Sequence, residues 1–233
     1  MRAPLSVAVA QPETLAHDVA ANALEHAAAI AASGARLVVF PELSLTGYEH
    51  GADPLDPNDP RLDPIARACE KHGAVALVGA PVGDEHGAYI AMIRIDEGGR
   101  EVVYRKQWLA DDEARSFVPG PCAVAIDIDG WRVGLGICKD TGTPQHVADV
   151  AALGVDLYAA GIVFEPAEKL SARAAAIAQA CGSPVALASF AGATGEGYER
   201  TLGASTIWSA AGIPLTSADE QPGRVATTIL EQP

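Results

Sequence analysis

The sequence predicts an α/β protein whose sheets are mixed rather than purely parallel, and three observations carry that prediction. Short apolar runs alternate with helical, mostly Ala-rich segments along the chain. Pairs of runs are joined by the tight-turn signals Asp96-Glu97-Gly98-Gly99 and Asp129-Gly130, which make hairpins and so interrupt the parallel alternation. A glycine stands after each helical segment (Gly34, Gly73, Gly154 and Gly182), where a left-handed residue ends a helix.

Ser6 to Ala10 reads as a strand, and Asp18 to Ser33 as a helix whose apolar stripe is Leu24, Ala28 and Ala31. Ala35 to Phe40 is a continuous apolar run, hence a buried strand. Gly51 to Pro64, rich in Asp and Pro, reads as a loop. Pro64 to His72 reads as a helix, and Ala74 to Gly79 as another buried strand. Tyr89 to Ile95 and Glu101 to Lys106 form the first hairpin; Cys122 to Ile128 and Trp131 to Ile137 form the second. Gln145 to Leu153 is a helix, Val155 to Ala160 a strand, Pro166 to Cys181 a long helix and Val185 to Ser189 a strand. Ser205 to Trp208 and Ile213 to Thr216 close the pattern as a last hairpin. Residues 51–64 and 192–200 are the longest irregular stretches and the natural pocket walls or lids. No internal repeat or linker divides the chain, so residues 1–233 are expected to form a single domain.

With 233 residues and 49% hydrophobic content, one domain has enough material for a substantial core. A formal net charge of −14 and the lack of a long basic patch disfavour nucleic acid and anionic membrane surfaces as partners. No stretch reaches the apolar length of a membrane span. The amino terminus lacks the apolar block and cleavage site of a signal peptide. Four scattered cysteines without a Cys-x-x-Cys pair fit reduced thiols in a cytoplasmic setting. Cys138, Asp140 and His146 match no defensible zinc spacing, so no metal or cofactor is expected and His146 reads as a surface residue.

Cys138 is the most informative residue, because an apolar strand pattern, Val133 to Ile137, runs straight into it and then into a polar turn. Strand ends of α/β proteins face the crevice where chemistry is kept. A thiol there needs a base and a cation to act as a nucleophile. Two other strand ends supply them, Glu42 after Val38-Val39-Phe40-Pro41 and Lys106 after Val102-Val103-Tyr104-Arg105. Taken singly, each reads as an ordinary core thiol, loop carboxylate or strand-end amine. Together they form a candidate hydrolase site.

The motifs resemble one family. Phe40-Pro41-Glu42-Leu43-Ser44-Leu45-Thr46-Gly47-Tyr48 is similar to the glutamate box of the nitrilase superfamily, the carbon–nitrogen hydrolases. Tyr104-Arg105-Lys106-Gln107-Trp108-Leu109 resembles its lysine box, and Gly136-Ile137-Cys138-Lys139-Asp140 its cysteine box, in the family's order. The likeness begins at Val7-Ala8-Val9-Ala10-Gln11-Pro12 and extends to Gly203-Ala204-Ser205-Thr206-Ile207-Trp208. Asp112 to Gly120 resembles the segment that bears the family's second glutamate, here Glu113.

The resemblance implies a four-layer α-β-β-α sandwich that stacks into a homodimer. It implies that Cys138 attacks an amide carbon and that Glu42 moves the protons. Lys106 and the backbone N–H of Lys139 would hold the oxyanion, and Glu113 would orient Lys106 and the substrate nitrogen. Tyr48 and Phe164 follow strand ends and are the substrate-contact candidates.

Two departures stand out. Lys139 replaces the family's usual aromatic residue, and its side chain is expected to point away from the pocket and pair with a carboxylate. The chain stops soon after Ile229, so the long carboxyl-terminal arm of many members is expected to be short or absent. The sequence therefore points to hydrolysis of a small carboxamide to acid plus ammonia through a thioester. A nitrilase or an N-carbamoyl hydrolase would use the same triad. A non-catalytic binding protein on this fold and a thiol redox sensor are the readings from other classes.

Overall fold

The computed structural model describes residues 3–164 and 167–231, the last group with backbone alone for 167–169. In chain order the elements are β1 (Leu5–Gln11), α1 (Val19–Ser33), β2 (Leu37–Val39), α2 (Asp63–His72), β3 (Val75–Asp84), β4 (Gly87–Asp96) and β5 (Gly99–Arg105). They continue with β6 (Ala125–Ile128), β7 (Trp131–Ile137), α3 (Pro144–Ala152), β8 (Leu157–Ile162), α4 (Ala167–Cys181) and β9 (Val185–Ser189). The last are β10 (Ala191–Gly192), β11 (Thr201–Leu202), β12 (Thr206–Trp208), β13 (Pro214–Ser217) and β14 (Arg224–Leu230). Single 3₁₀ turns cover Pro60–Leu62, Glu113–Arg115 and Cys138–Gly142.

The larger strands make two six-stranded sheets, ordered β14-β1-β2-β3-β4-β5 and β13-β12-β9-β8-β7-β6. Each has a parallel centre (β1-β2-β3 and β7-β8-β9) and antiparallel flanks. Side chains alternate across β1: Val7 and Val9 enter a core shared with Val133, Leu135 and Leu157 of the other sheet, whereas Ala8 and Ala10 pack with α1 and α2. On the far side, Tyr158, Ala160 and Ile162 of β8 pack beneath α3 and α4. Helix, sheet, sheet and helix thus form the expected four layers. Both faces of each central strand are buried, which is why those strands read as unbroken apolar runs.

The structure corrects several details. The stripe Leu24, Ala28 and Ala31 lies on the exposed side of α1; Val19, Asn22, Ala23, His26, Ala29 and Ile30 face the core. The buried face carries two polar residues and the helix is mostly alanine, so hydrophobic periodicity points the wrong way. The strand expected to stop at Gly79 runs on to Asp84 and makes a hairpin with β4 around Glu85-His86. The carboxyl-terminal stretch Arg224-Val225-Ala226-Thr227-Thr228-Ile229-Leu230 is a full strand, paired antiparallel along β1 from Leu5↔Leu230 to Gln11↔Arg224. Its β-branched content was the available signal. Pro166, the expected start of α4, lies outside the described residues. Among the described residues no helix is long and apolar enough to cross a membrane.

Candidate active site

Glu42 sits in the turn just past β2. The turn is held by Phe40 N–H donating to Leu77 O at 3.0 Å and Leu45 N–H donating to Gly79 O at 3.0 Å. Two glycines, one from each sheet, make room for it. A Cβ on Gly79 of β3 would lie 2.3 Å from Pro41 O and 2.4 Å from Leu43 N; one on Gly161 of β8 would lie 2.5 Å from Phe40 O and 2.7 Å from Glu42 N. The backbone bearing Glu42 is therefore clamped between the middle of β3 and the carboxyl end of β8.

Lys106 follows the last residue of β5 and is anchored by its own N–H donating to Ile90 O at 2.8 Å. Its ammonium donates to Glu42 Oε1 at 2.7 Å and to Glu113 Oε1 at 2.5 Å. Glu113 is held in turn by the Tyr48 hydroxyl at 2.6 Å and the Ala110 N–H at 2.8 Å. All three charged side chains are essentially inaccessible, with side-chain exposures of 0–1%. A buried group of two carboxylates and one ammonium survives because each charge is paired and hydrogen-bonded.

Their titration follows from that burial. Desolvation pushes Glu42 up to about 7, with Lys106 only partly offsetting it and Glu113 adding repulsion. Burial also opposes ionisation of Glu113, but Lys106, Tyr48 and the Ala110 N–H outweigh it and hold its pKa below the usual carboxylate value. Burial works against the Lys106 charge, yet Glu42, Cys138 and Glu113 hold its pKa above that of an ordinary lysine. The two glutamates share one cation and are driven in opposite directions, the pattern that separates a proton carrier from a fixed charge. Glu42 Oε2 is buried and accepts no hydrogen bond among the described residues.

Cys138 opens the 3₁₀ turn at the carboxyl end of β7 with φ of 39°, a left-handed conformation unusual for a residue with a side chain. Its Sγ approaches Val163 O at 3.5 Å, and Glu42, Lys106 and Glu113 are the charges that act on it. Burial, then repulsion from Glu42, raise the thiol to about 12 despite Lys106. The resting sulfur is thus a neutral thiol that must lose its proton as it reacts.

The turn is tied to the lysine loop by Asp140. Its carboxylate accepts from Ile137 N–H at 3.0 Å, the Tyr104 hydroxyl at 2.8 Å and Trp108 N–H at 2.9 Å. The structure so gathers Glu42, Lys106, Glu113 and Tyr48 into one hydrogen-bonded group beside Cys138. Tyr48 serves Glu113 through its hydroxyl. Phe164 lies in the cluster beneath α3 and α4, with the Arg173 guanidinium 4.6 Å above its ring. Lys139 is exposed and donates to Leu109 O at 2.5 Å, so its partner is a backbone carbonyl rather than a carboxylate. His146 is fully buried, not on the surface: its Nδ1 meets Gln107 Oε1 at 2.9 Å, and burial lowers its pKa. Among the described residues no group of three His, Cys, Asp or Glu side chains could hold a metal ion. Residues 192–200 dock on the glutamate loop, with Thr194 Oγ1 accepting from Tyr48 N–H at 3.0 Å and Glu196 Oε1 from His50 N–H at 2.9 Å.

Sequence reading missed the glycine clamp, Tyr104, the buried role of Asp140, and Arg173. The two glycines and Arg173 belong to no local pattern; Tyr104 and Asp140 lie inside the lysine and cysteine boxes, but nothing local showed that they bond to each other.

Comparison with known proteins matches the carbon-nitrogen hydrolase family model over residues 6–231. A hydrolase in the pqqF 5′ region of Pseudomonas protegens is 32% identical over 150 residues, 60% of this chain and 53% of that protein. An (R)-stereoselective amidase of a Pseudomonas species is 28% identical over 136 residues, 57% of this chain and 50% of that protein. The chain thus aligns with about half the length of these curated relatives. Among solved structures, a CN-hydrolase superfamily protein of Xanthomonas campestris superposes with a TM-score of 0.88 at 22% identity, covering 98% of this chain and 91% of that one. A family model that runs from the first strand to the last carries the conclusion: the chain belongs to the carbon–nitrogen hydrolase family.

Proposed function

We propose that the protein hydrolyses a small carboxamide to the acid and ammonia through a thioester on Cys138. The observation that carries this is the Lys106 ammonium bridging Glu42 and Glu113 beside the sulfur. An amide is a weak electrophile with a poor leaving group, so it needs a covalent nucleophile, an oxyanion stabiliser and a proton donor to nitrogen. Each requirement has a group here. As Sγ bonds to the carbonyl carbon, its proton passes to Glu42 Oε2. The oxyanion is taken by the Lys139 N–H and by the third N–H of Lys106, the other two being committed to the glutamates. Glu42 then protonates the nitrogen, the C–N bond breaks, and ammonia leaves. Water attacks the thioester, Glu42 takes a proton from it, the C–S bond breaks, and the thiol recovers its proton. Glu113, held ionised, fixes the ammonium and faces the leaving nitrogen.

In this reading the 233 residues are one catalytic domain, and two copies pair as a homodimer. The unpaired thiols support a reducing, cytoplasmic setting. Sedimentation at micromolar concentration tests the dimer.

The central test is ammonia release from a panel of amides, nitriles and ureido acids by wild type and Cys138→Ala, with acid trapping of the acyl-enzyme. The amide reading expects turnover and a trapped adduct on Cys138 with amides, both absent in the variant. Preference for nitriles or ureido acids replaces the substrate class while leaving the triad; no turnover and no adduct with any member favours a binding protein.

A further inference from the structure

We propose that Thr141, backed by Arg173, is a positioning residue that aims the backbone oxyanion donor of the cysteine turn. The inference rests on the reading above, in which the Lys139 N–H holds the oxyanion.

The Thr141 hydroxyl, 2% exposed, donates to the Cys138 carbonyl at 2.6 Å. The described backbone has no cis peptide, and in a planar trans peptide the C=O and the following N–H point opposite ways. Holding the Cys138 carbonyl on one side therefore sends the Lys139 N–H out on the other. The Lys139 carbonyl is pinned separately by the Thr143 hydroxyl at 2.9 Å, so both peptide planes flanking residue 139 are held by threonines. At φ of 39° the nucleophile leaves the β7 ladder and opens the 3₁₀ turn, so this peptide is oriented by that turn together with the threonine hydroxyls.

A hydroxyl bonded to the carbonyl three residues back is common in helical turns. The remote partner sets this one apart. Arg173, on α4, donates through Nη1 to Thr141 Oγ1 at 3.2 Å. A charged donor on the hydroxyl oxygen leaves its proton directed at the carbonyl. It also polarises the chain guanidinium → hydroxyl → carbonyl, which strengthens the N–H of the same peptide as a donor. Gly142 keeps the space open, because a Cβ there would stand 3.1 Å from both Cζ and Nη2 of Arg173. The Phe164 ring, 4.6 Å from Cζ, holds the guanidinium from another side.

The experiment compares wild type with Thr141→Val, Thr141→Ser and Arg173→Met in three measurements. These are kcat and KM on the best amide of the panel, affinity for the matching aldehyde, and the rate of Cys138 modification by methyl methanethiosulfonate. The aldehyde adduct presents an oxygen to the same donors; the thiosulfonate needs the thiolate but makes no oxyanion. Expected for Thr141→Val is a roughly 10- to 100-fold fall in kcat with little change in KM. Aldehyde affinity falls in parallel, and the modification rate is kept. Thr141→Ser restores most of the loss, and Arg173→Met shows the same pattern in smaller measure. Wild-type kcat in folded Thr141→Val overturns the proposal. So does a fall in thiosulfonate reactivity equal to the fall in turnover, which would mark general disorder of the thiol. Should Thr141→Val not fold, Arg173→Met decides in its place, and wild-type kcat in that variant overturns the proposal. A wild type that neither turns over amides nor binds aldehydes removes the amidase reading and this inference with it; a competent wild type with an equally competent Thr141→Val removes this inference alone.

Discussion

Glu42 and Glu113 are the same residue type on the same cation, yet their surroundings assign them different work. Glu42 offers an unpartnered oxygen and is held at about 7, the range in which a carboxylate both accepts and returns a proton at neutral pH. Glu113 is wrapped in donors and stays ionised. The expected consequence is an acid limb in kcat/KM: activity falls as pH drops below about 7, because a protonated Glu42 cannot take the thiol proton. Glu42→Gln should lower turnover on the order of 10³-fold and abolish that limb. A wild-type profile flat from about pH 5.5 to 8.5 would remove Glu42 as the base. Removing one oxyanion donor by Lys106→Ala should lower kcat by about 10²–10³-fold. The variant also strands two buried carboxylates, so its circular dichroism must be compared with wild type before the rate is read.

At the scale of elements, the site exists because strands of two sheets end together. The apolar runs ending near Glu42 and Cys138 were readable in the chain, since a strand buried on both faces needs unbroken hydrophobicity, whereas the half-buried edge strand before Lys106 was readable from its hairpin turn. Which glycines hold the turn was not readable. Gly79 and Gly161 look like any strand glycine in sequence, and only the approach of the Phe40–Leu43 backbone, from the neighbouring strand for Gly79 and from the facing sheet for Gly161, gives them a role. Gly79→Ala should therefore cost about 1–3 kcal/mol of stability, the range for forced overpacking. Activity should drop at least about tenfold, because displacing Glu42 by a fraction of an ångström disrupts near-attack geometry. Urea titration and ammonia release read both effects; unchanged activity would mean the turn relaxes freely and the clamp is not needed. β14 and the β3–β4 hairpin escaped the sequence reading for a related reason. Pro222-Gly223 marks the turn before β14, but the extent and register of both elements are set by pairing with strands already in place.

Across the whole molecule, α1 reaches the site through a buried polar chain. His26 is fully buried, stacked on Phe40 with ring centroids 4.2 Å apart, and its Nε2 meets Ser44 Oγ at 2.8 Å, two residues from Glu42. Desolvation lowers its pKa from 6.5 to about 4. The folded state thus keeps His26 neutral, while the unfolded chain takes up a proton below 6.5. The stability this gives is fully present above 6.5, declines as pH falls, and is lost through about 4. The whole difference is about 3 kcal/mol. Urea midpoints between pH 7 and 4 should fall more steeply for wild type than for His26→Gln. Parallel slopes would assign the acid sensitivity to other groups, such as the 30 Asp and Glu side chains.

The order of residues by itself determined the α/β class, most strand and helix positions, and the three strand ends that carry a carboxylate, an amine and a thiol. Those depend on hydrophobic period and turn chemistry, which are local. Tertiary structure alone decided that Glu42 and Glu113 share one ammonium, that Tyr48 serves Glu113 and that His146 is buried. It also decided that an arginine from α4 backs the cysteine turn. Those outcomes depend on which layers face one another and how closely their backbones approach, and no local pattern in the chain encodes that distance.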